Sequence, residues 1–152
     1  KGLETVRTDW TPLAQQFQKT LYLRIFRNEP YQDYVRETIK SLMDGELDDQ
    51  LGYRKRLRRP LAEYERNVPP HVRAARLADE ETLKRGRPAQ YQNRGTIKCV
   101  CTTQGPEPVD YQHSPLDYDH YLTKQLMPVA DGILPFTNDD FATLLTGQLG
   151  LF

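Results

Sequence analysis

Three features of the sequence predict an α+β fold, predominantly helical with one small β element. Apolar residues recur at helical spacing through long stretches: Leu13, Phe17, Leu21 and Ile25, then Tyr31, Tyr34, Val35, Ile39 and Leu42. One run, Gly95–Thr102 (GTIKCVCT), is rich in β-branched residues and opens on glycine. Eleven prolines and nine glycines cut the remainder into short elements.

Taken in order, Thr11-Pro12 marks a helix start, with Asp9 or Thr11 as cap, and the four-residue repeat carries that helix to about Arg27. Asn28-Glu29-Pro30 breaks it. A second helix follows with its apolar face on Tyr31 to Leu42, and Gly45 stops it. Leu51–Leu57 alternates as a short strand, Leu51, Tyr53, Lys55 and Leu57 falling on one side. Pro60–Tyr64 reads as a single helical turn and Asn67–Pro70 as a bend. A third helix spans His71–Arg85 and ends at Gly86. Gly105–Pro115, with three prolines, reads as loop. Asp119–Leu134 is a helix kinked by Pro128. A last short helix, Asn138–Thr146, is capped by Asn138 and closed by Gly147. There are no internal repeats.

A chain of 152 residues, 38% hydrophobic and 28% charged, suits one ordinary soluble domain. No apolar run reaches membrane-spanning length and no leader pattern is read at its start, so a cytoplasmic, membrane-free setting is expected. Cys99 and Cys101 are two apart in a strand, sharing a face without facing each other, which suits free thiols in a reducing compartment. Lys1 stands where a methionine would open a complete chain, so a piece of a longer protein is expected.

The net charge of zero hides a split. Between Arg54 and Arg94 stand twelve Lys or Arg against five Asp or Glu, a local +7 that the other residues balance with −7. Arg54-Lys55-Arg56 and Arg58-Arg59 arrive with no acid among them, interleaved with Tyr53, Leu57 and Tyr64. Such a run repels itself until an anion binds, and its apolar neighbours tie it to a folded surface. A solvated basic edge is the plain alternative. The sharper reading is a grip on phosphates, with Arg forks and Lys points neutralising a nucleic-acid backbone without reading bases.

Catalysis finds little support. Asp117 and Asp119 in PLDYDHY have a spacing that holds divalent metals in some nucleases, yet they equally open the helix at Asp119, one as cap and one in its first turn. No third ligand or phosphate cradle accompanies them. His71, His113 and His120 lack metal spacing, and neither cysteine has a base partner in view. No catalytic residue, metal site or cofactor is assigned to these 152 residues. Three function classes follow: a polyanion-gripping part of a larger enzyme, a stand-alone nucleic-acid-binding accessory module, and a small nuclease built on Asp117 and Asp119.

Four phrases in order give a resemblance. KGLETVRTDW (residues 1–10) resembles the junction between palm and thumb in family B DNA polymerases. RRPLAEYERNVPPHVRAARLA resembles that family's thumb phrase, and RGTIKCV and HYLTKQLMPV match further on in order and spacing. The likeness covers the whole chain and is nearest the bacterial members. It implies a helical thumb with a small β element, residues 1–10 as palm–thumb junction and 11–145 as thumb. In that family the thumb closes over the primer–template duplex. Carried over position by position, Lys55, Arg59, Tyr64, Asn67 and His71 match the phrase nearest the duplex, with packing an equal alternative for Tyr64 and His71. Arg7 and Asp9 match the junction and orient thumb on palm. Charge density adds Arg54, Arg56 and Arg58. The family's metal-binding, nucleotide-binding and exonuclease motifs are absent from this stretch. The resemblance therefore implies a parent DNA-directed DNA polymerase with 3′–5′ exonuclease, its Mg²⁺ in the palm, acting in replication and repair in a bacterial cytoplasm, while this stretch alone is inactive and monomeric. Cys99 and Cys101 depart from the pattern, since an aromatic is expected at one of the two.

The chain closes on TGQLGLF, three large apolar side chains in its last four residues. Gln148-Leu149-Gly150-Leu151-Phe152 resembles the pentapeptide by which bacterial polymerases bind the sliding clamp. Gln148 would hydrogen-bond a pocket mouth, with Leu149, Leu151 and Phe152 filling apolar depressions. Each such burial is worth about 1.5–3 kcal/mol before ordering costs, consistent with micromolar peptide affinity. Residues 146–152 are thus expected to be a flexible tether, the alternative being a tail packed on its own last helix.

Overall fold

In the computed structural model, which describes residues 10–149, helix α1 runs Pro12–Phe26. The side chains of residues 147–149 also lie outside the description, as do the junction residues Arg7 and Asp9 and, for their side chains, the tether residues Gln148, Leu149, Leu151 and Phe152. The chain divides into two compact units: one takes the chain up to Leu51 and again from Tyr118, and the other is Gly52–Asp117.

The first unit is helical. Thr11 caps α1, its Oγ1 accepting the Ala14 N–H at 3.2 Å, with Pro12 in the first turn as the sequence required. Helix α2, Gln32–Met43, buries Val35, Ile39 and Leu42 and ends before Gly45, whose φ of +82° only glycine adopts freely. Phe17 of α1 stacks on Tyr34 of α2, ring centroids 5.8 Å apart. Helix α1 also packs on α5 (Met127–Ile133), and α2 on α6 (Phe141–Leu149).

The expected Asp119–Leu134 helix is corrected in detail. It begins as α4, Tyr118–Tyr121, widens into a π turn at Leu122–Leu126, and resumes as α5. Pro128 has no N–H to give, and its ring crowds the Lys124 carbonyl four residues back; the wider turn relieves that crowding. Gln125 completes the repair. Its Nε2 donates to the Lys124 carbonyl at 3.4 Å. Its Oε1 accepts both the Thr11 N–H at 2.9 Å and the Thr11 hydroxyl at 3.0 Å. Gln125 and Thr11 are both buried, so this polar knot binds the π turn to the cap of α1.

Helix α6 also differs from expectation. Its cap is Asp140, whose Oδ1 accepts the Thr143 N–H at 2.7 Å, and not Asn138. Asp139 is occupied elsewhere, accepting the Tyr31 hydroxyl and the Gln32 amide. The helix continues through Gly147 to Leu149, because an interior glycine costs only about 1 kcal/mol and does not by itself end a helix.

The second unit is a three-stranded antiparallel sheet in the order β1-β2-β3 with α3, Pro70–Lys84, packed on one face. Strand β2 is Gly95–Thr102 as predicted, whereas β1 is Tyr53–Leu57, two residues shorter than the expected Leu51–Leu57 because Leu51 closes the short helical turn Asp48–Gln50. Strand β3, Gly105–Pro108, corrects the loop reading: its two prolines are tolerated because it is an edge strand, paired on one side only. Leu57, Leu61, Tyr64, Val72, Ala74, Ala75, Ala78, Ile97 and Cys99 form the core beneath. Small alanines on α3 let the helix lie close to the sheet. Asp79 is buried yet satisfied, taking the backbone N–H groups of Gln90 at 2.8 Å and Tyr91 at 3.1 Å and the Gln92 amide at 2.9 Å. Both cysteines are free, and burial pushes the Cys99 thiol up to about 11.

Replacing Gln125 with Leu keeps the volume but strands the Thr11 N–H and the Lys124 carbonyl. Urea denaturation is expected to show a loss of about 2 kcal/mol, whereas Gln16→Leu on the exposed side of α1 changes stability by less than about 0.5 kcal/mol.

Candidate nucleic-acid interface

The whole cationic segment lies in the second unit. Gly52–Asp117 holds thirteen Lys or Arg against eight Asp or Glu, a balance of +5 that the rest of the chain offsets. Strand alternation sorts the charges: Arg54 and Arg56 are exposed on one face of β1, while Tyr53, Lys55 and Leu57 face the side covered by α3. Arg58 and Arg59 follow the strand, both exposed.

Beneath them the chain is pinned. Tyr64 is only 9% exposed and belongs to the core. Its hydroxyl accepts the Arg58 N–H at 3.3 Å, and the Arg59 guanidinium lies 4.5 Å above its ring centroid. Arg76 reaches up from α3, its Nη2 donating to the Leu61 carbonyl at 2.8 Å and the Tyr64 carbonyl at 2.6 Å. One of the twelve counted cations is therefore a bracket under the ridge. Tyr64 likewise supports Arg58 and Arg59 from below.

Arg54, Lys55, Arg56, Arg58 and Arg59 form no ion pair among the described residues; the pairs found there engage other cations, such as Lys84 and Arg85 with Glu81. Five positive groups held within six residues, without neutralising partners, favour an external anion. Asn67 is exposed at φ +49°, in the turn that leads into α3. His71 is half-buried at the start of α3 on the Lys55 side. Burial first, and the Lys55 ammonium second, hold its imidazole below the usual histidine value.

The alternative site dissolves into ordinary roles. Asp119 sits in the first turn of α4, and the Asp117 N–H donates to the Cys101 carbonyl at 3.0 Å. Among the described residues no three His, Cys, Asp or Glu side chains converge as a metal would require. No helix of the described residues is long and apolar enough to cross a membrane.

No family model matches the chain. Over all 152 residues it is 82% identical to DNA polymerase II of Escherichia coli (strain K12). It is 31% identical over 147 residues to DNA polymerase 2 of Aeropyrum pernix. The chain spans 19% and 17% of the length of these two relatives. Among solved structures, the family B DNA polymerase of the hyperthermophilic archaeon Pyrobaculum calidifontis superposes with a TM-score of 0.66 at 26% identity, over 87% of this chain and 18% of that one. The chain matches a segment of the family B DNA polymerases.

The resemblance read from the four phrases is thereby carried to the level of the whole chain, in sequence and in fold. Sequence reasoning missed one cation of this family B segment. Strand pairing sets Lys98 of β2 directly opposite Arg54, and Thr96 opposite Arg56, on the same exposed face. The signal was present as alternation in GTIKCVCT, but only the register joins it to the Arg54–Arg59 run.

The depressed His71 value has a sign that can be tested. An unfolded histidine takes up its proton near pH 6.5 and the folded one lower, so stability is full above about pH 6.5 and falls as pH drops toward the folded value. The His71 Cε1–H resonance is expected to titrate below 6.5, and Lys55→Met, which removes a neighbouring positive charge, to move that midpoint upward. Because burial is the larger cause, the midpoint stays below that of an exposed histidine.

Proposed function

We propose that this chain is the thumb region of a DNA-directed DNA polymerase, closing over the primer–template duplex and gripping its backbone without regard to sequence. A polymerase must slide along whatever it copies, so the grip has to be on phosphates and not on base edges. Support comes from one observation above all: an acid-free run at Arg54–Arg59, its four arginines exposed and Lys55 half-buried, whose charges find no ion pair among the described residues, in a chain 82% identical to a bacterial DNA polymerase II. Lys55 and His71 lie on the α3 side of the sheet, Arg54 and Arg56 on the other, and Arg58 and Arg59 beyond the strand end. Tyr64 holds the last two from beneath, and Asn67 is exposed in the turn that leads into α3.

The parent enzyme on this reading is a nucleotidyltransferase with 3′–5′ exonuclease, working in replication and repair in a bacterial cytoplasm. Its catalytic carboxylates and Mg²⁺ belong to the palm, and this stretch by itself is an inactive monomer. Gln148, Leu149, Leu151 and Phe152 tether the enzyme to the sliding clamp. A weak tether suffices there, because once both proteins share one DNA the second contact becomes intramolecular.

If about five phosphates are neutralised, the logarithm of duplex affinity falls with the logarithm of salt at a slope near −4 to −5. Changing Arg56, Arg58 and Arg59 together to Ala is expected to flatten that slope by about 3, measured by anisotropy of a labelled primer–template. A slope near zero in the unmodified chain rejects the grip. Deleting Gln148–Phe152 is expected to abolish binding to purified clamp while leaving the melting temperature unchanged; a lowered melting temperature instead assigns the tail to the core.

A further inference from the structure

The strand register gives the ridge a second rail. Arg54 on β1 and Lys98 on β2 are direct antiparallel partners, and Arg56 partners Thr96. Partners in such a ladder project their side chains to the same face within a few ångströms of each other. All four are exposed. Like charges placed opposite one another destabilise a sheet, and neither Arg54 nor Lys98 has an ion pair among the described residues to relieve it.

Lys98 is moreover seated. A Cβ built on the buried Gly52 would lie 2.7 Å from Lys98 Cε and 3.3 Å from Lys98 Cγ. The missing side chain at Gly52 therefore leaves room for the lysine stem along the backbone just ahead of β1. A stem laid against the chain in this way limits where the ammonium can go, which is unusual for a surface lysine and lowers the entropy lost when it engages a partner.

We propose that Lys98 is a phosphate contact: with Arg54 and Arg56 it forms a two-stranded cationic face, completed by the Thr96 hydroxyl, that takes consecutive phosphates of a nucleic-acid strand. This deepens the duplex-gripping reading and rests on it. The cost that the like-charged pair imposes on the free protein is returned when polyanion binds. Free stability and affinity should therefore respond to Lys98 in opposite directions, which a merely solvated lysine does not do.

The test is a Lys98→Gln variant of the whole chain, compared with Lys98→Arg and with the Arg56/Arg58/Arg59 triple alanine variant. Duplex affinity is measured from low to moderate KCl by anisotropy, and unfolding of the free protein by urea. Lys98→Gln is expected to reduce the magnitude of the salt slope by about 0.9, the value of one phosphate contact, without lowering the urea midpoint. Lys98→Arg is expected to keep the slope. An unchanged slope for Lys98→Gln, while the triple variant flattens, overturns the role of Lys98 and leaves the ridge standing. An unchanged slope in both overturns the duplex grip itself. If Lys98→Gln lowers the urea midpoint, the lysine serves the fold, and the proposal fails on that outcome too.

Discussion

A short antiparallel ladder between Tyr53–Leu57 and Gly95–Thr102 is the constraint on which the rest depends. It fixes five backbone pairs, Tyr53 with Cys99 through Leu57 with Gly95, and so decides which charges share a face. Left to themselves, Arg54, Lys55, Arg56, Arg58 and Arg59 would spread apart to lower their mutual repulsion. The ladder denies the first three that freedom, and Tyr64 and Arg76 deny it to the last two. The opposing force is the apolar core under the sheet, where Leu57, Ile97 and Cys99 meet the alanine face of α3. Burial of this kind, at roughly 25 cal/mol per Å² of apolar surface, readily outweighs repulsion between exposed, water-screened charges. The charges are therefore held close on the surface of a folded unit, where an external polyanion can neutralise them.

The two units divide the labour in their chemistry. Gly52–Asp117 concentrates positive charge on a small α+β body, whereas the helical unit carries the compensating negative charge and has Gln125 and Thr11 as its buried polar knot. A chain neutral as a whole can in this way still carry one strongly cationic segment. Charge neutrality of the whole is a poor guide to such a molecule.

Much of this was legible in the sequence. Helix α1 followed from its four-residue apolar repeat with Thr11 and Pro12 at its start, α2 from its apolar face and Gly45, α3 from the turn before it and Gly86 after it, and β2 from its β-branched run. What escaped had physical reasons. Strand β3 carries Pro106 and Pro108, residues that argue against a strand until it is known to be an edge. The π turn before Pro128 is one of several ways to relieve the same crowding, and only packing chooses among them. The cap of α6 is Asp140 because Asp139 is drawn away to Tyr31 and Gln32, partners more than a hundred residues distant in the chain. In the candidate site, the run Arg54–Arg59 announced itself by composition. The contribution of Lys98 did not, since cross-strand neighbours are set by register and not by sequence proximity. Tyr64, for which packing was an equal alternative, is a core residue beneath Arg58 and Arg59, and Arg76, one of the counted cations, is tied to the backbone carbonyls of Leu61 and Tyr64.

The central claim is that unpaired cations on this unit attract phosphate charge and nothing else about DNA. It is tested most directly by comparing a primer–template duplex of ordinary phosphodiesters with one of identical sequence whose backbone is replaced by uncharged methylphosphonates across the contacted stretch. The account predicts that affinity collapses for the uncharged duplex and that the salt dependence disappears with it, whatever the base sequence. Equal affinity for the two duplexes, or tight binding that survives on the uncharged one for a single base sequence, would contradict it.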